Sequence, residues 1–242
     1  MQASSHCASR LKPVVASIKY ACLPAGLALL LNPNLVLAGP KGGEVTSGSG
    51  TITTPNANTT LINQQSKNLW INWDSYNVDV NEAVNYLQPS SKANAFNRIF
   101  DQNPSQIFGS ITANGNVILI NPNGVFFSPT ASVNVNSLTA STLDITESDY
   151  NNGNYTFTAV PGSEGVVVNQ GVIQASTGGS VNLIGQAVSN EGLILANAGQ
   201  VNLVAGNKVT MDFDGDGLMQ FTVDEAVLKN AQALNAAVNN SG

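Results

Sequence analysis

A chain of 242 residues with a net charge of −6 and only 10% charged residues cannot neutralise a run of phosphates, which excludes nucleic acid as a partner. An anionic membrane surface is disfavoured for the same reason. The chain is rich in asparagine and in glycine, with 22 glycines, and this composition is typical of short β-strands joined by turns rather than of a disordered chain.

Residues 1–38 predict a secretory signal peptide. Their only charges are three basic residues ahead of an apolar run at 21–31, and the segment ends in the small-residue pattern Val36-Leu37-Ala38. A transmembrane anchor is the alternative, but crossing the hydrocarbon takes about 20 apolar residues, and this shorter run is broken by Pro24. We expect cleavage between Ala38 and Gly39.

Removal of this leader leaves six basic and fifteen acidic residues, a net charge of −9. Cys7, Cys22 and His6 all lie in the leader, so the mature chain contains neither cysteine nor histidine. It cannot form a Ser-His-Asp triad, a Cys-His pair or an ordinary zinc site, and no catalytic residue or cofactor is predicted. A chain without cysteine also suits an exported protein that must stay unfolded while it crosses a second membrane.

Residues 39–161 are predicted to form an N-terminal cap and the early coils of a β-solenoid. An aromatic strand is expected at Leu69–Trp73 and a buried strand at Val117–Ile120. A short helix is expected around Ala93–Phe100, packed as a lid. A cap is required because the open end of a stack would leave unpaired strand edges.

A turn is predicted directly after the second of these strands. Asn121, Pro122, Asn123 and Gly124 place Asn, Pro and Gly at the first, second and fourth positions favoured in a type I turn. The turn alone explains all four residues.

Residues 162–242 are predicted to form regular coils, because this region repeats. Asn169–Ala175 recurs as Asn190–Ala196 after 21 residues, and Gly179–Leu183 recurs as Gly199–Leu203 after 20 residues. A period near 20 with two or three short strands indicates a solenoid. Leucine-rich repeats fit poorly, since no leucine-rich consensus or helical segment is present, and the pattern favours an all-β parallel β-helix with Val and Leu in interior columns.

Three acidic residues in this region, Asp212, Asp214 and Asp216, are weak candidates for a metal site. They resemble the start of an Asp-x-Asp-x-Asp-Gly calcium loop, which needs a glutamate at its twelfth position. That position is Val223 here, so a polar turn between two strands is the favoured interpretation and no bound metal is expected.

The last five residues repeat the spacing of an earlier coil. Val238–Gly242 matches Val188–Gly192 in its Val, Asn and Gly positions. The chain therefore stops where another coil would begin. Either it is part of a longer protein, or residues 221–242 fold back as a terminal cap.

Six segments, in this order, carry a family resemblance: Gly48–Ile52, Asn72–Val78, Phe96–Ile99, Pro104–Gly109, Leu119–Val125 and Leu138–Thr142. Together they resemble the secretion domain at the N-terminus of filamentous haemagglutinin and related two-partner secretion exoproteins. The resemblance implies a right-handed β-helix with an N-terminal cap, export by the general secretory machinery, and recognition by the periplasmic POTRA domains of a partner outer-membrane β-barrel. It also implies that the Asn121–Gly124 turn is a determinant of secretion.

Three functions stay open at this point. The favoured one is a secretion-recognition domain of a larger adhesin-like or haemolysin-like protein, which nucleates β-helix folding outside the cell and leaves any binding of a host receptor or glycan to downstream regions. The others are a self-contained adhesin and a polysaccharide-active β-helix enzyme that works with carboxylates and a basic residue. We expect a secreted or surface-held protein that passes through the periplasm and is not an enzyme.

Overall fold

The computed structural model describes residues 39–214, 218–225 and 238–242, and its backbone consists almost entirely of short strands. In chain order the elements are β1 (Glu44–Ser47), β2 (Gly50–Asn56), β3 (Thr59–Gln64), β4 (Asn68–Trp73), β5 (Ala83–Leu87), β6 (Asn94–Ile99), β7 (Ser105–Ile107), β8 (Ser110–Ala113), β9 (Asn116–Ile120), β10 (Val125–Phe127), β11 (Ser132–Val135), β12 (Ser137–Ser141), β13 (Leu143–Asp144), α1 (Glu147–Asn151), β14 (Thr156–Ala159), β15 (Val166–Asn169), β16 (Val172–Ala175), β17 (Ser180–Gly185), β18 (Ala187–Asn190), β19 (Leu193–Ala196), β20 (Gln200–Ala205), β21 (Lys208–Asp214), β22 (Leu218–Glu225) and β23 (Val238–Asn240). Among these residues no helix has the length and apolar character needed to cross a membrane.

Most of the strands wind into stacked coils. Sheet 1 contains β1, β4, β6, β9, β12, β17 and β20, sheet 2 contains β7, β10, β15, β18 and β23, and sheet 3 contains β2, β3, β5, β8, β11, β16 and β19. Coils 1 to 6 begin at β3, β5, β8, β11, β16 and β19. In coils 2 to 6 the chain passes from sheet 3 to sheet 1 and then to sheet 2, whereas coil 1 contributes only an isolated bridge, from Val78 to Ile107, beside sheet 2. Strands of neighbouring coils pair in parallel, and the fold is the expected right-handed parallel β-helix, with the hand that parallel crossovers adopt.

The sequence repeats set the register of the last coils. Asn169 lies opposite Asn190, and Val181 lies opposite Val201. These are the offsets of 21 and 20 residues read from the sequence, so the predicted pairing is confirmed.

Antiparallel strands close the N-terminal end of the stack, which confirms the cap. Strand β1 pairs with β4, and β2 pairs with β3, both in antiparallel order. Strand β2 forms the edge of sheet 3 and carries the exposed Pro55, which has no N–H group to offer to a further strand.

The interior of the stack is filled by columns of apolar side chains. One column runs through sheet 1 from the first coil to the fifth and consists of Leu69, Ala95, Val117, Leu138 and Val181, all fully buried. Equivalent residues repeat at the strand spacing of about 4.8 Å, and each large member contributes roughly 1.5–3 kcal/mol by its burial. The stack therefore has one continuous core.

A polar network interrupts this core in the first two coils. The Oδ1 atom of Asn97 accepts hydrogen bonds from Trp73 Nε1 and from the Tyr86 hydroxyl, each at 2.9 Å. The Tyr86 proton is thereby used, so the Tyr76 hydroxyl donates to Tyr86 at 2.8 Å. Burial raises the pKa of both tyrosines, and the hydrogen bond that Tyr76 shares with Tyr86 opposes the rise at Tyr76. Both phenols therefore stay protonated in the folded protein.

A fourth, antiparallel sheet covers the outer side of sheet 1. Its order is β13-β14-β21-β22, so the segment after β12 and the segment after β20 meet in it. Phe157 and Met211 from this outer sheet pack with Phe96, Ile118 and Ile184 of sheet 1 in a second apolar cluster. Asn182 of sheet 1 lies beneath it and is fully buried; it donates to Thr139 Oγ1, and Asn202 donates to it at 2.8 Å.

The helix expected around Ala93–Phe100 is wrong, because Asn94–Ile99 is strand β6. The polarity alternation typical of a half-exposed strand is missing there, since the strand is buried on both sides: Ala95 and Ile99 face the interior, and Phe96 faces the outer cluster. The helix of the described residues is α1 instead, capped by Thr146, whose Oγ1 accepts from the Asp149 N–H at 3.1 Å.

The repeated spacing near residue 240 corresponds to strand pairing. Val238 lies opposite Val188 in sheet 2, and Asn190 donates to Asn240 Oδ1 at 2.8 Å. A terminal cap was one of the two structures expected for residues 221–242. The structure describes the two ends of this segment: residues 221–225 belong to β22 of the outer sheet, and residues 238–240 form β23 of sheet 2. The division of the chain at residues 161 and 162 falls between β14 and β15 and stays a prediction.

Candidate functional site

The predicted turn lies at the corner where coil 3 passes from sheet 1 to sheet 2. Strand β9 ends at Ile120 and β10 begins at Val125. The Gly124 N–H donates to the Asn121 carbonyl at 3.0 Å and closes the four-residue turn. Gly124 has a φ of +125°, a conformation that favours glycine.

Asn121 links this turn to the coil before it. Its Oδ1 accepts from the Asn123 N–H at 2.9 Å, and its Nδ2 donates to the Asn103 carbonyl at 3.1 Å and to Ser105 Oγ at 3.0 Å. The side chain is 0% exposed. No partner could therefore touch Asn121 in the folded protein, and its role there is to hold the corner together.

The other members of the turn are packed between neighbouring coils but partly accessible. Asn123 Nδ2 donates to the Asp101 carbonyl at 2.7 Å, while Pro122 and Asn123 remain half-buried. On the other side, a Cβ atom on Gly165 would lie 2.3 Å from the Pro122 carbonyl oxygen, so the next coil returns directly against the turn.

The accessible side of Pro122 and Asn123 faces a cleft of about 310 Å³, called here the corner cleft. Its far wall is the segment 160–163, which leads from the outer sheet back to sheet 2. Within it Arg98 forms a two-pronged ion pair with Asp144, with Nε to Oδ1 at 3.0 Å and Nη2 to Oδ2 at 2.5 Å. The guanidinium lies 5.4 Å from the centre of the exposed Phe100 ring.

The corner cleft is lined by polar and apolar side chains and contains one ion pair. Asp144 is the one carboxylate that lines it, and both of its oxygens are held by Arg98. Sequence reasoning found the turn but missed Arg98, Asp144 and Phe100, because their meeting depends on the outer sheet.

The other predicted site residues fall mostly outside the described residues. Asp216 and Ala38 both lie outside the described residues. Of the two residues that flank the predicted cleavage position, the structure describes Gly39. Asp212 and Asp214 belong to β21, opposite Gln220 and Leu218 of β22. Within residues 39–214, 218–225 and 238–242, no group of three or more acidic residues, histidines or cysteines could hold a metal ion.

Comparison with known proteins identifies the family. Residues 38–241 match the TPS secretion domain, the domain of two-partner secretion. The chain belongs to this family. It is the secretion-recognition domain of an exoprotein, the class of protein that an outer-membrane partner transporter of a two-partner system exports, and the sequence-based recognition is confirmed.

Relatives of this secretion domain occur in Haemophilus influenzae. A heme/hemopexin-binding protein of strain ATCC 51907 / DSM 11121 / KW20 / Rd is 37% identical over 196 residues, which is 78% of this chain but 21% of that protein. A second heme/hemopexin-binding protein is 38% identical over 119 residues, 49% of this chain and 13% of that protein. The chain thus spans about a fifth of the length of the curated relatives it matches.

A solved structure agrees with the fold. The crystal structure of the HMW1 secretion domain from Haemophilus influenzae superposes with a TM-score of 0.71 and 37% sequence identity, over 78% of this chain and 50% of that chain. The secretion domain is therefore related in sequence and in fold to proteins whose descriptions name secretion and binding rather than catalysis.

Proposed function

We propose that POTRA domains of the partner barrel recognise this secretion domain while it is extended in the periplasm, and that it nucleates β-helix folding after transport. The observation that carries the proposal is the burial of Asn121. A side chain with no exposed surface cannot be read by a partner in the folded state, whereas the extended chain presents it. A secretion motif centred on Asn121 is thus better suited to recognition before folding.

An extended chain has the chemistry that such recognition needs. It can add a strand to a POTRA sheet, with backbone hydrogen bonds supplying affinity and alternate side chains supplying selectivity. The net charge of −9 after loss of the leader favours approach to a basic surface on the transporter. The leader, cleaved between Ala38 and Gly39, would direct the chain to the general secretory machinery.

Folding would then proceed from the cap. A solenoid grows by adding each coil to an existing stack, and β1 and β2 provide the closed end against which coil 1 forms. The full protein would be released or held at the cell surface. Adhesion to a host receptor or glycan, or another effector activity, would belong to regions beyond this domain.

A disulfide that locks the fold tests the order of these events. Thr156 of β14 and Thr210 of β21 lie opposite each other in the outer sheet, with their Oγ1 atoms 3.0 Å apart. Residues paired in this way are close enough for a disulfide after substitution by cysteine. Because both natural cysteines lie in the leader, no competing disulfide exists within the mature chain.

We expect the Thr156→Cys/Thr210→Cys chain to be retained in the periplasm when oxidised and secreted when a reductant is present. Each single substitution is the matched control and should be secreted normally. Secretion of the oxidised chain at the normal level would contradict recognition in the extended state. Secretion in cells that lack the partner barrel would contradict the pathway itself.

A further inference from the structure

A second cleft, called here the aromatic cleft, opens between sheet 1 and the outer sheet, and none of the four turn residues Asn121–Gly124 lines it. Its volume is about 340 Å³, within the range of small-ligand pockets. Its walls include the rings of Phe96, Tyr150 and Phe157. Tyr150 packs edge-on against Phe96, with the ring centres 4.6 Å apart.

A ladder of asparagine side chains runs along one side of the aromatic cleft. Asn94 Nδ2 donates to Asn68 Oδ1, Asn116 Nδ2 to Asn94 Oδ1, and Asn136 Nδ2 to Asn116 Oδ1, each at 2.9 Å. The ladder ends at Asn136 because the next coil has Gly179, whose backbone lies against it. The amides are therefore held at fixed positions, one strand spacing apart.

Several hydrogen-bond donors at the aromatic cleft have unused capacity. The Tyr150 hydroxyl accepts from Asn94 Nδ2 at 3.1 Å, while its own proton has no acceptor within the described residues. Burial raises the pKa of Tyr150, so this proton is retained at neutral pH. Asn116 uses one of its two amide protons in the ladder, and the second is available.

Two lysines at the mouth add positive charge. Lys67 and Lys92 both line the aromatic cleft. Among the described residues the ion pair that forms is Arg98–Asp144, so neither lysine is paired with a carboxylate. The mature chain has a net charge of −9, yet these two lysines line the cleft and no carboxylate in the described part of the chain does. The nearby Asp149 of α1 does not line the cleft, and its carboxylate accepts from Thr146 Oγ1.

We infer that the aromatic cleft binds an acidic sugar, a hydroxylated ring that carries a carboxylate. Lys67 and Lys92 would hold the carboxylate, Tyr150 and Asn116 would donate to ring oxygens, and the aromatic wall would cover one face of the ring. An acyl chain with an anionic end fits less well, because asparagine, serine and threonine side chains line the cleft beside the aromatic ones. This activity is separate from secretion recognition and would give the domain a binding role of its own.

The probes are glucuronate, galacturonate and N-acetylneuraminate, titrated into the secreted mature protein by calorimetry and by amide chemical-shift mapping. We expect millimolar dissociation constants for at least one acidic sugar, weakened by added salt, with shifts concentrated at residues 91–94 and 136–137 and absent from the cap. Glucose should bind at least tenfold more weakly, because it lacks the carboxylate. Hexanoate, which has a carboxylate but no hydroxylated ring, should also bind more weakly.

Variants test the assigned groups. Lys67→Gln and Lys92→Gln should each weaken binding by about tenfold, the usual contribution of a charge-assisted hydrogen bond. Tyr150→Phe keeps the ring and removes only the hydroxyl, so it should weaken binding less. Lys41→Gln, which removes the same charge in the cap, is the matched control and should bind normally. Each variant is first compared with the parent by its circular dichroism spectrum and Tm.

Four results would overturn the inference. The first is no binding of any acidic sugar, and the second is equal binding of glucose and glucuronate. The third is tighter binding of hexanoate, which would assign the cleft to an acyl ligand. The fourth is unchanged affinity in the folded lysine variants.

Discussion

The buried network around Asn97 supports a quantitative prediction about stability. Replacing Asn97 by leucine keeps a side chain of similar size but removes the acceptor for Trp73 Nε1 and for the Tyr86 hydroxyl. It also removes the donor to the Ala95 and Ile118 carbonyls, at 3.1 and 3.2 Å. All of these groups lie in the interior of the first coils, where water cannot replace the lost partners.

The expected loss follows from the two orphaned donors. A buried donor left without an acceptor costs about 1–3 kcal/mol, so Asn97→Leu should lower the free energy of unfolding by about 2–6 kcal/mol. Tyr76→Phe removes only the end of the network and should cost about 1 kcal/mol. In the Asn97→Leu background, Tyr86→Phe alone would only pass the orphaned proton to Tyr76, which donates to Tyr86. Replacing Tyr76 and Tyr86 together by phenylalanine removes that donor and should restore about 1–3 kcal/mol.

Urea unfolding of the mature protein, followed by the fluorescence of Trp70 and Trp73, measures these values. Both tryptophans lie in β4 next to the network, so the signal reports on the relevant coils. An Asn97→Leu protein within 1 kcal/mol of the parent would refute the reasoning. So would a Tyr76→Phe/Tyr86→Phe pair of substitutions that destabilised the Asn97→Leu protein further.

Four more predictions concern the turn, the interior column, the tyrosines and metal. Asn121→Ala loses three side-chain hydrogen bonds and should lower the free energy of unfolding by about 2–4 kcal/mol, whereas Asn123→Ala loses one and should lower it by about 1 kcal/mol. Both variants should be secreted less efficiently. Normal secretion of both would show that the turn is not a determinant of secretion. Val181→Asp buries a charge and should prevent folding. Val172→Asp, at a position that is 41% exposed, is the control and should change the free energy of unfolding by about 0.5 kcal/mol or less. Equal effects of the two substitutions on the circular dichroism spectrum would contradict the assignment of Val181 to the interior. Burial raises the pKa of Tyr76 and Tyr86 in the folded state, so their contribution to stability should be full below the ordinary tyrosine pKa of about 10 and should fall as the pH rises above it. The tyrosinate absorbance of these two residues should appear only when the protein unfolds. Its appearance before unfolding would contradict their burial. Chelation of calcium should leave the Tm unchanged, and a drop of roughly ten degrees would indicate a bound ion worth a few kcal/mol.

The regular coils could be read from the sequence because their repeats are nearly exact in length. Val181 and Leu183 are buried, and Val201 and Leu203 take the matching positions in the next coil, where Val201 is 46% exposed; similar residues therefore recur at a fixed offset. The earlier coils lack this signal. Leu69, Ala95 and Val117 share one column although their sizes differ widely, since neighbouring side chains compensate within the core.

The two strands expected on either side of the Asp212–Asp216 turn are β21 and β22. The outer sheet as a whole could not be predicted, because β14 and β21 are distant in sequence and do not repeat. Phe157 lies opposite Val209, more than fifty residues later. Helix α1 did have a local signal, since Thr146 and Asp149 have the spacing of a capping box. The buried Asn97 had none, because an asparagine in a strand is ordinarily exposed.

The candidate site was predicted in part. The residue types at 121–124 dictate a turn by their own backbone preferences, so the turn was accessible to sequence reasoning. The full burial of Asn121 depends on Asn103 and Ser105 in the preceding coil. The corner cleft depends on the ion pair between Arg98 and Asp144 of the outer sheet. Neither the contacts of Asn121 nor this ion pair can be predicted from the residues next to them in the sequence.

The corner between sheets 1 and 2 is where the chain makes its longest excursions from the stack. In coils 2 and 3 the connection from sheet 1 to sheet 2 is short and consists of residues 100–104 and 121–124. In coils 4 and 6 the same connection is long and comprises residues 142–165 and 206–237. The other two corners stay short in every coil. Long segments can therefore leave and rejoin the stack at this corner, while the parallel register of the strands in all three sheets continues from coil to coil.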